Sequence, residues 1–133
     1  MKMNKAQTIL EFTMLISIAL VIFILIFVIY FNLRKDIYED KLINEMNGIA
    51  SDIRKQLILA YKMPDGYSNR LIIREIKECD YHIYYNYSYI WLECNKYQSK
   101  KYKVPNIIGF FDNFNKSNNY IYKRNGKLYL NLK

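Results

Sequence analysis

The chain has 133 residues, a formal net charge of +8 and 52% apolar residues, with 14 Tyr but only 4 Gly and 2 Pro. That length holds one modest domain plus an anchor, and so aromatic a chain with so little Gly and Pro is not a disordered stalk. The single histidine, with no Gly-rich phosphate loop and no nucleophile–base pair, excludes the usual enzyme constellations; no cofactor and no metal are expected.

A basic leader, Met1 to Lys5, precedes an uncharged, mostly apolar run from Phe12 to Phe31. About 20 such residues suffice to cross a bilayer as a helix. The run is too long for a cleaved secretory signal, and Val28-Ile29-Tyr30-Phe31 offers no small-residue exit, so the helix is expected to stay with the protein. Lys2 and Lys5 before the run, and Arg34 and Lys35 after it, leave the orientation open by charge alone. Glu11 sits at the mouth of the run. Thr8 to Glu11 fits a capping box, and a carboxylate in a first helical turn gains about 0.3–1 kcal/mol from the helix dipole.

Lys5-Ala6-Gln7, followed by Glu11-Phe12 opening an uninterrupted apolar helix, resembles the class III signal peptide of archaeal type IV pilins. The family usually carries Gly before its cleavage point, where this chain has Ala6. The resemblance covers residues 5 to 30 and implies removal of residues 1–6 by a prepilin peptidase, between Ala6 and Gln7. It also implies that Glu11 becomes the fifth mature residue, placed to pair with the new α-amine of Gln7 on a neighbouring subunit. Pairing offsets much of the cost of burying either charge in a helical bundle. Other pilin subunits, the assembly machinery in the membrane, and the membrane itself before assembly would be the partners.

The helical pattern continues past the apolar run. Leu33, Ile37, Leu42, Met46, Ile49, Ile53 and Leu57 recur at mostly one-face spacing, with charged residues between them. Met63-Pro64-Asp65-Gly66 ends the pattern, and Asn47-Gly48 is a candidate bend inside it. The expected segments are 7–31 as apolar helix, 32–63 as amphipathic spine and 64–133 as a β domain.

From Leu71 to Glu78 the period turns towards alternation, predicting a strand. Cys79 and Cys94 are equidistant from Asn86-Tyr87. A two-residue turn there would pair Tyr85 with Ser88, Ile83 with Ile90, Tyr81 with Leu92, His82 with Trp91, and Cys79 with Cys94. One face is then apolar, and the other carries His82, Tyr84, Tyr89 and Trp91. Outside the cell the two cysteines would form a disulfide; the alternative is two buried thiols. Ile107 to Phe111 is read as a loop or helical turn packed on the core. Asn125-Gly126 between alternating runs predicts a type I′ hairpin, with Ile121, Leu128, Leu130 and Leu132 inward and Tyr122 paired with Tyr129 outside. Five or six antiparallel strands are expected in all.

Thirteen Lys/Arg against six Asp/Glu lie from residue 62 onward. No helical basic cluster, zinc pattern or RNA-binding aromatic motif accompanies them, so the charge reads as a solvated face and no nucleic-acid partner is expected. Asn86-Tyr87-Ser88 and Asn115-Lys116-Ser117 are N-glycosylation sequons in expected turns or loops. The aromatic stripe His82, Tyr84, Tyr89 and Trp91 suits either lateral packing or contact with sugars and surfaces.

The expected architecture is α+β and type IV pilin-like, with a long N-terminal helix and a C-terminal antiparallel β-sheet domain. The expected function is a subunit of an archaeal type IV pilus-like surface filament with a role in adhesion. It would reside in the cell membrane as a single pass, its C-terminal domain outside, and then in the extracellular filament. The alternative is an uncleaved, single-pass anchored binding protein that does not polymerise.

Overall fold

The computed structural model describes the backbone of residues 2–108 and 119–130, and side chains from residue 6 onward. The protein is α+β: among the described residues, one helix, α1 (Lys2–Lys62), is followed by eight strands. The chain divides into two compact units, Met1–Glu39 and Asp40–Lys133.

In the first unit the apolar run is helical throughout, and its side chains lie open, from Ile9 at 66% to Phe31 at 66% exposure. Its two aliphatic hydroxyls bond within the helix: Thr13 Oγ1 donates to the Ile9 carbonyl at 2.8 Å and Ser17 Oγ to the Thr13 carbonyl at 2.9 Å. Neither hydroxyl then needs water, which suits a segment surrounded by hydrocarbon. Leu33 and Ile37, expected on the core face, are exposed and belong to this open unit. Helical spacing alone does not say whether a stripe has anything to cover it.

The core belongs to the second unit and begins at Leu42. Leu42, Met46, Ile49, Ile53 and Leu57 are buried as expected, with Ala50 and Ala60 allowing close approach between them. α1 continues as helix through Asn47-Gly48. It ends at Lys62, one residue before Met63-Pro64. Gly66 adopts a φ of +92°, open to glycine and strained for other residues.

Two small sheets supply the rest of the core. In the first, β1 (Ser68–Leu71), β7 (Asn119–Arg124), β8 (Lys127–Leu130) and β6 (Ile107–Ile108) lie in the order β1-β7-β8-β6. In the second, β3 (Tyr89–Cys94) pairs with β2 (His82–Asn86) on one side, and with β4 (Tyr97–Gln98) and β5 (Tyr102–Lys103) on the other. The described strands therefore outnumber the five or six expected. One pairing, β6 with β8, is parallel rather than antiparallel, so Ile107-Ile108 is a strand and not a loop or helical turn.

The last hairpin forms as the sequence predicts. Asn125 and Gly126 both take positive φ, +52° and +73°, the requirement of a type I′ turn. Tyr122 faces Tyr129 with rings stacked at 5.1 Å, while Ile121, Leu128 and Leu130 are buried. Leu132 lies outside the described residues.

The strand expected over Leu71–Glu78 is instead β1, three residues earlier, followed by an irregular segment from Ile72 to Tyr81. That segment is held by side chains on α1. Gln56 donates to the Ile72 carbonyl at 2.8 Å and accepts from the Ile72 amide at 2.9 Å, replacing the ladder partners the strand would have needed. Asp52 binds Arg74 at 2.6 Å and Lys41 binds Glu78 at 3.3 Å. Tyr81, buried against the core, donates its hydroxyl to the Arg74 carbonyl.

Burial, and after it the charge of Glu75, push the Tyr81 hydroxyl up to about 12 from an ordinary 10.0. A raised folded-state value stabilises the fold below the unfolded value and loses that contribution as pH climbs through the folded one. The urea midpoint of the detergent-solubilised chain is therefore expected to fall between pH 10 and pH 12, and Tyr81→Phe to flatten that fall. An equally steep fall in Tyr81→Phe would assign the alkaline transition to other groups.

Candidate functional site

Two regions carry the residues that the sequence singles out. The first is the start of α1. Ala6, Gln7 and Glu11 are exposed, and Gln7 Nε2 donates to Glu11 Oε1 at 3.3 Å, one turn apart. The helix already begins at Lys2, so Thr8 and Glu11 lie within it. The capping box expected at Thr8 is not a helix start in this chain. The Glu11 carboxylate thus faces the Gln7 amide from inside the helix, at the lip of the exposed apolar run. Farther along, Phe27 and Phe31 are in ring contact at 5.9 Å, and the Arg34 guanidinium lies 5.3 Å above the Tyr30 ring. Such an aromatic–cation girdle suits the boundary between an apolar and an aqueous phase. Among the described residues, the helix from Ala6 to Lys62 is long and apolar enough to cross a membrane.

The second region is the outer face of the second sheet. The β2–β3 register differs from the expected one by two residues: Ile83 faces Leu92, Tyr84 faces Trp91 and His82 faces Glu93. The turn is Tyr87-Ser88 rather than Asn86-Tyr87. Tyr87 takes a φ of +54°, and the Ser88 amide donates to the Asn86 carbonyl at 2.7 Å. A slip of two keeps every side chain on its predicted face. His82, Tyr84 and Tyr89 therefore remain exposed, with Trp91 half-buried, as an outward row.

The same slip breaks the expected ladder pairing of the cysteines. Cys94 faces Tyr97 of β4, and Cys79 lies in the irregular segment before β2. They are nonetheless joined as a disulfide, with a Cα–Cα distance of 6.4 Å. A residue outside the ladder can form the bond where its Cα separation and Cβ direction suit, so no facing strand position is required.

Within the outward row, Tyr84 stacks on Trp91 at 5.6 Å, and Lys101 Nζ lies 4.7 Å above the Trp91 ring. The sequence pattern indicated the row but not its lysine. β5 pairs with β3 through Tyr89–Lys103 and Ile90–Tyr102, which brings the preceding Lys101 beside the aromatics. The Trp91 ring is thereby engaged within its own sheet. Asn86 is exposed at the end of β2, and Asn115 lies outside the described residues.

Sequence reasoning missed the lysine that closes α1. Lys123 Nζ donates to the Tyr61 carbonyl at 2.7 Å and to the Met63 carbonyl at 2.9 Å, where helix-end carbonyls lack backbone partners. Asp65, in the turn after α1, accepts from the Gly126 amide at 3.0 Å. Both are long-range pairings across about sixty residues, and neither leaves a local pattern.

No family model, curated protein or solved structure matches the chain.

Linking cysteines 15 positions apart in sequence, the disulfide is expected to stabilise the second unit by about 3 kcal/mol on the chain-entropy estimate. Reduction should lower the urea midpoint accordingly. Mass spectrometry after denaturing alkylation should show two adducts with reductant and none without it. Two adducts without reductant would refute the bond.

Proposed function

We propose that the chain is a type IV pilin-like subunit of a surface filament, trimmed between Ala6 and Gln7 by a prepilin peptidase and assembled through its apolar helix. The observation that carries this reading is the open apolar run of the first unit, preceded by Lys5-Ala6-Gln7 and Glu11, on the helix that also lines the core of a disulfide-bonded β domain. A helix with apolar side chains all round needs either lipid or other helices about it. A subunit of this design uses both in turn, lipid before assembly and neighbouring helices after it.

Glu11 is the register element in this scheme. Once residues 1–6 are removed, the Gln7 α-amine carries a positive charge next to an apolar helix. Packing such helices side by side buries Glu11 of one copy and the amine of the next, and their pairing favours one axial offset over others. The contact between Gln7 and Glu11 within one chain places both groups on one side of the helix, where a neighbour could meet them. A basic β domain would then form the outer surface, with adhesion as its role.

A second reading rests on a specific feature. The helix runs unbroken through Ala6 and Gln7, whereas proteolysis requires the backbone to open locally. An uncut chain would be a single-pass anchored surface protein.

N-terminal sequencing of the protein from cell surfaces separates the two. A chain starting at Gln7 is expected, and one starting at Met1 would establish the anchored form. In addition, Glu11→Ala is expected to leave cleavage and membrane insertion intact but to reduce incorporation into filaments by at least about tenfold, as loss of one partner of a buried charge pair implies. Normal filaments from Glu11→Ala would refute the register role.

A further inference from the structure

The second unit carries a groove of about 610 Å³ between α1, the segment from β5 to β6, and the β7–β8 turn. Its floor is apolar, built from Ile58, Pro105 and Ile108, and its rim carries Arg54, Lys103 and Lys127 with no acidic residue in the lining. Arg54 Nε is engaged with the Lys103 carbonyl at 3.2 Å, which fixes that cation at the rim. Neither Lys103 nor Lys127 has a carboxylate partner among the described residues. Three uncompensated cations around an apolar trough repel one another, and an occupant with acidic and apolar groups would relieve that repulsion.

The same chain carries a segment of that chemistry. On α1, Leu33, Asp36, Ile37 and Asp40 follow the i, i+3, i+4, i+7 spacing of one helix face. Leu33 and Ile37 are 55% and 67% exposed, and Asp36 and Asp40 are exposed with no ion-pair partner among the described residues. The stripe rises about 10 Å at 1.5 Å per residue, two turns of helix, and alternates apolar groups suited to the groove floor with carboxylates that the groove lacks.

We propose that the Leu33–Asp36–Ile37–Asp40 stripe of one copy docks in the Arg54–Lys103–Lys127 groove of another. The inference rests on the assembly reading above and names a contact outside the apolar bundle. The two isoleucine-lined surfaces exclude water, and Asp36 and Asp40 meet Lys103 and Lys127 at the edges. A contact of this kind adds specificity to packing between apolar helices, which by itself discriminates poorly between axial offsets.

The test is charge reversal in the full chain, scored as filament yield per cell by electron microscopy. The double variant Lys103→Glu/Lys127→Glu and the double variant Asp36→Lys/Asp40→Lys are each expected to lower yield about tenfold or more, and the quadruple variant to restore it to within about threefold. Normal yield from either double variant, or loss without rescue in the quadruple variant, would overturn the docking while leaving the assembly reading in place. Wild-type chains that form no filaments would overturn both. A second measurement uses filaments assembled from a mixture of isotopically light and heavy chains, treated with a carbodiimide. Mixed-isotope cross-links from Asp36 or Asp40 to Lys103 or Lys127 are expected. Their absence from assembled filaments would refute the contact even if the variants misfold.

Discussion

Twenty successive residues of α1, Phe12 to Phe31, hold their side chains exposed along the helix. A large aliphatic or aromatic side chain gains about 1.5–3 kcal/mol on leaving water, so a run of this length in water would cost several times the net stability of a small domain. The segment is long and apolar enough to cross a membrane, and a lipid surrounding would remove that cost. The Thr13 and Ser17 hydroxyls inside it are paired to backbone carbonyls, and the acid Glu11 stands at one end. Its chemistry is consistent throughout with a low-dielectric surrounding.

Beyond residue 40 the same helix has a different task. Its apolar stripe is closed off by two sheets, while its polar residues act as brackets for irregular backbone: Gln56 for Ile72, Asn47 for the Lys100 amide and Arg54 for the Lys103 carbonyl. The sheets are short, so most of their backbone leaves the ladders early, and helix side chains satisfy the groups the ladders do not. The disulfide performs the corresponding task for the segment before β2, tying Cys79 to the buried Cys94. One helix thus offers an open apolar surface in one half and a scaffold for a β domain in the other.

Much of this was legible from residue order. The helix, its end before Met63-Pro64, the Asn125-Gly126 hairpin, the faces of β2 and β3, and the disulfide partners follow from period, turn chemistry and spacing. The errors share a physical cause. Facing cysteines would place the β2–β3 turn at Asn86-Tyr87, but a disulfide does not require a ladder pairing, and the turn lies at Tyr87-Ser88. Leu71–Glu78 alternates like a strand, yet Gln56 takes up the backbone groups a strand neighbour would have bonded. The parallel β6–β8 pair joins residues about twenty apart through two positions each, too short for any periodic signal. At the candidate site, the leader and Glu11 were visible as a local motif. Lys101 on Trp91 and the cationic groove arise only when separate segments meet in the fold.

In the proposed assembly, the open apolar run is covered by copies of itself. Structure determination of native surface filaments by electron cryomicroscopy tests this most directly. The account predicts this chain in the filament, with residues 12–31 of each copy packed against the same residues of its neighbours and Glu11 beside a neighbour's Gln7 amine. Filaments built without this chain, with the protein found only in membranes and its residues 12–31 in contact with lipid, would contradict it.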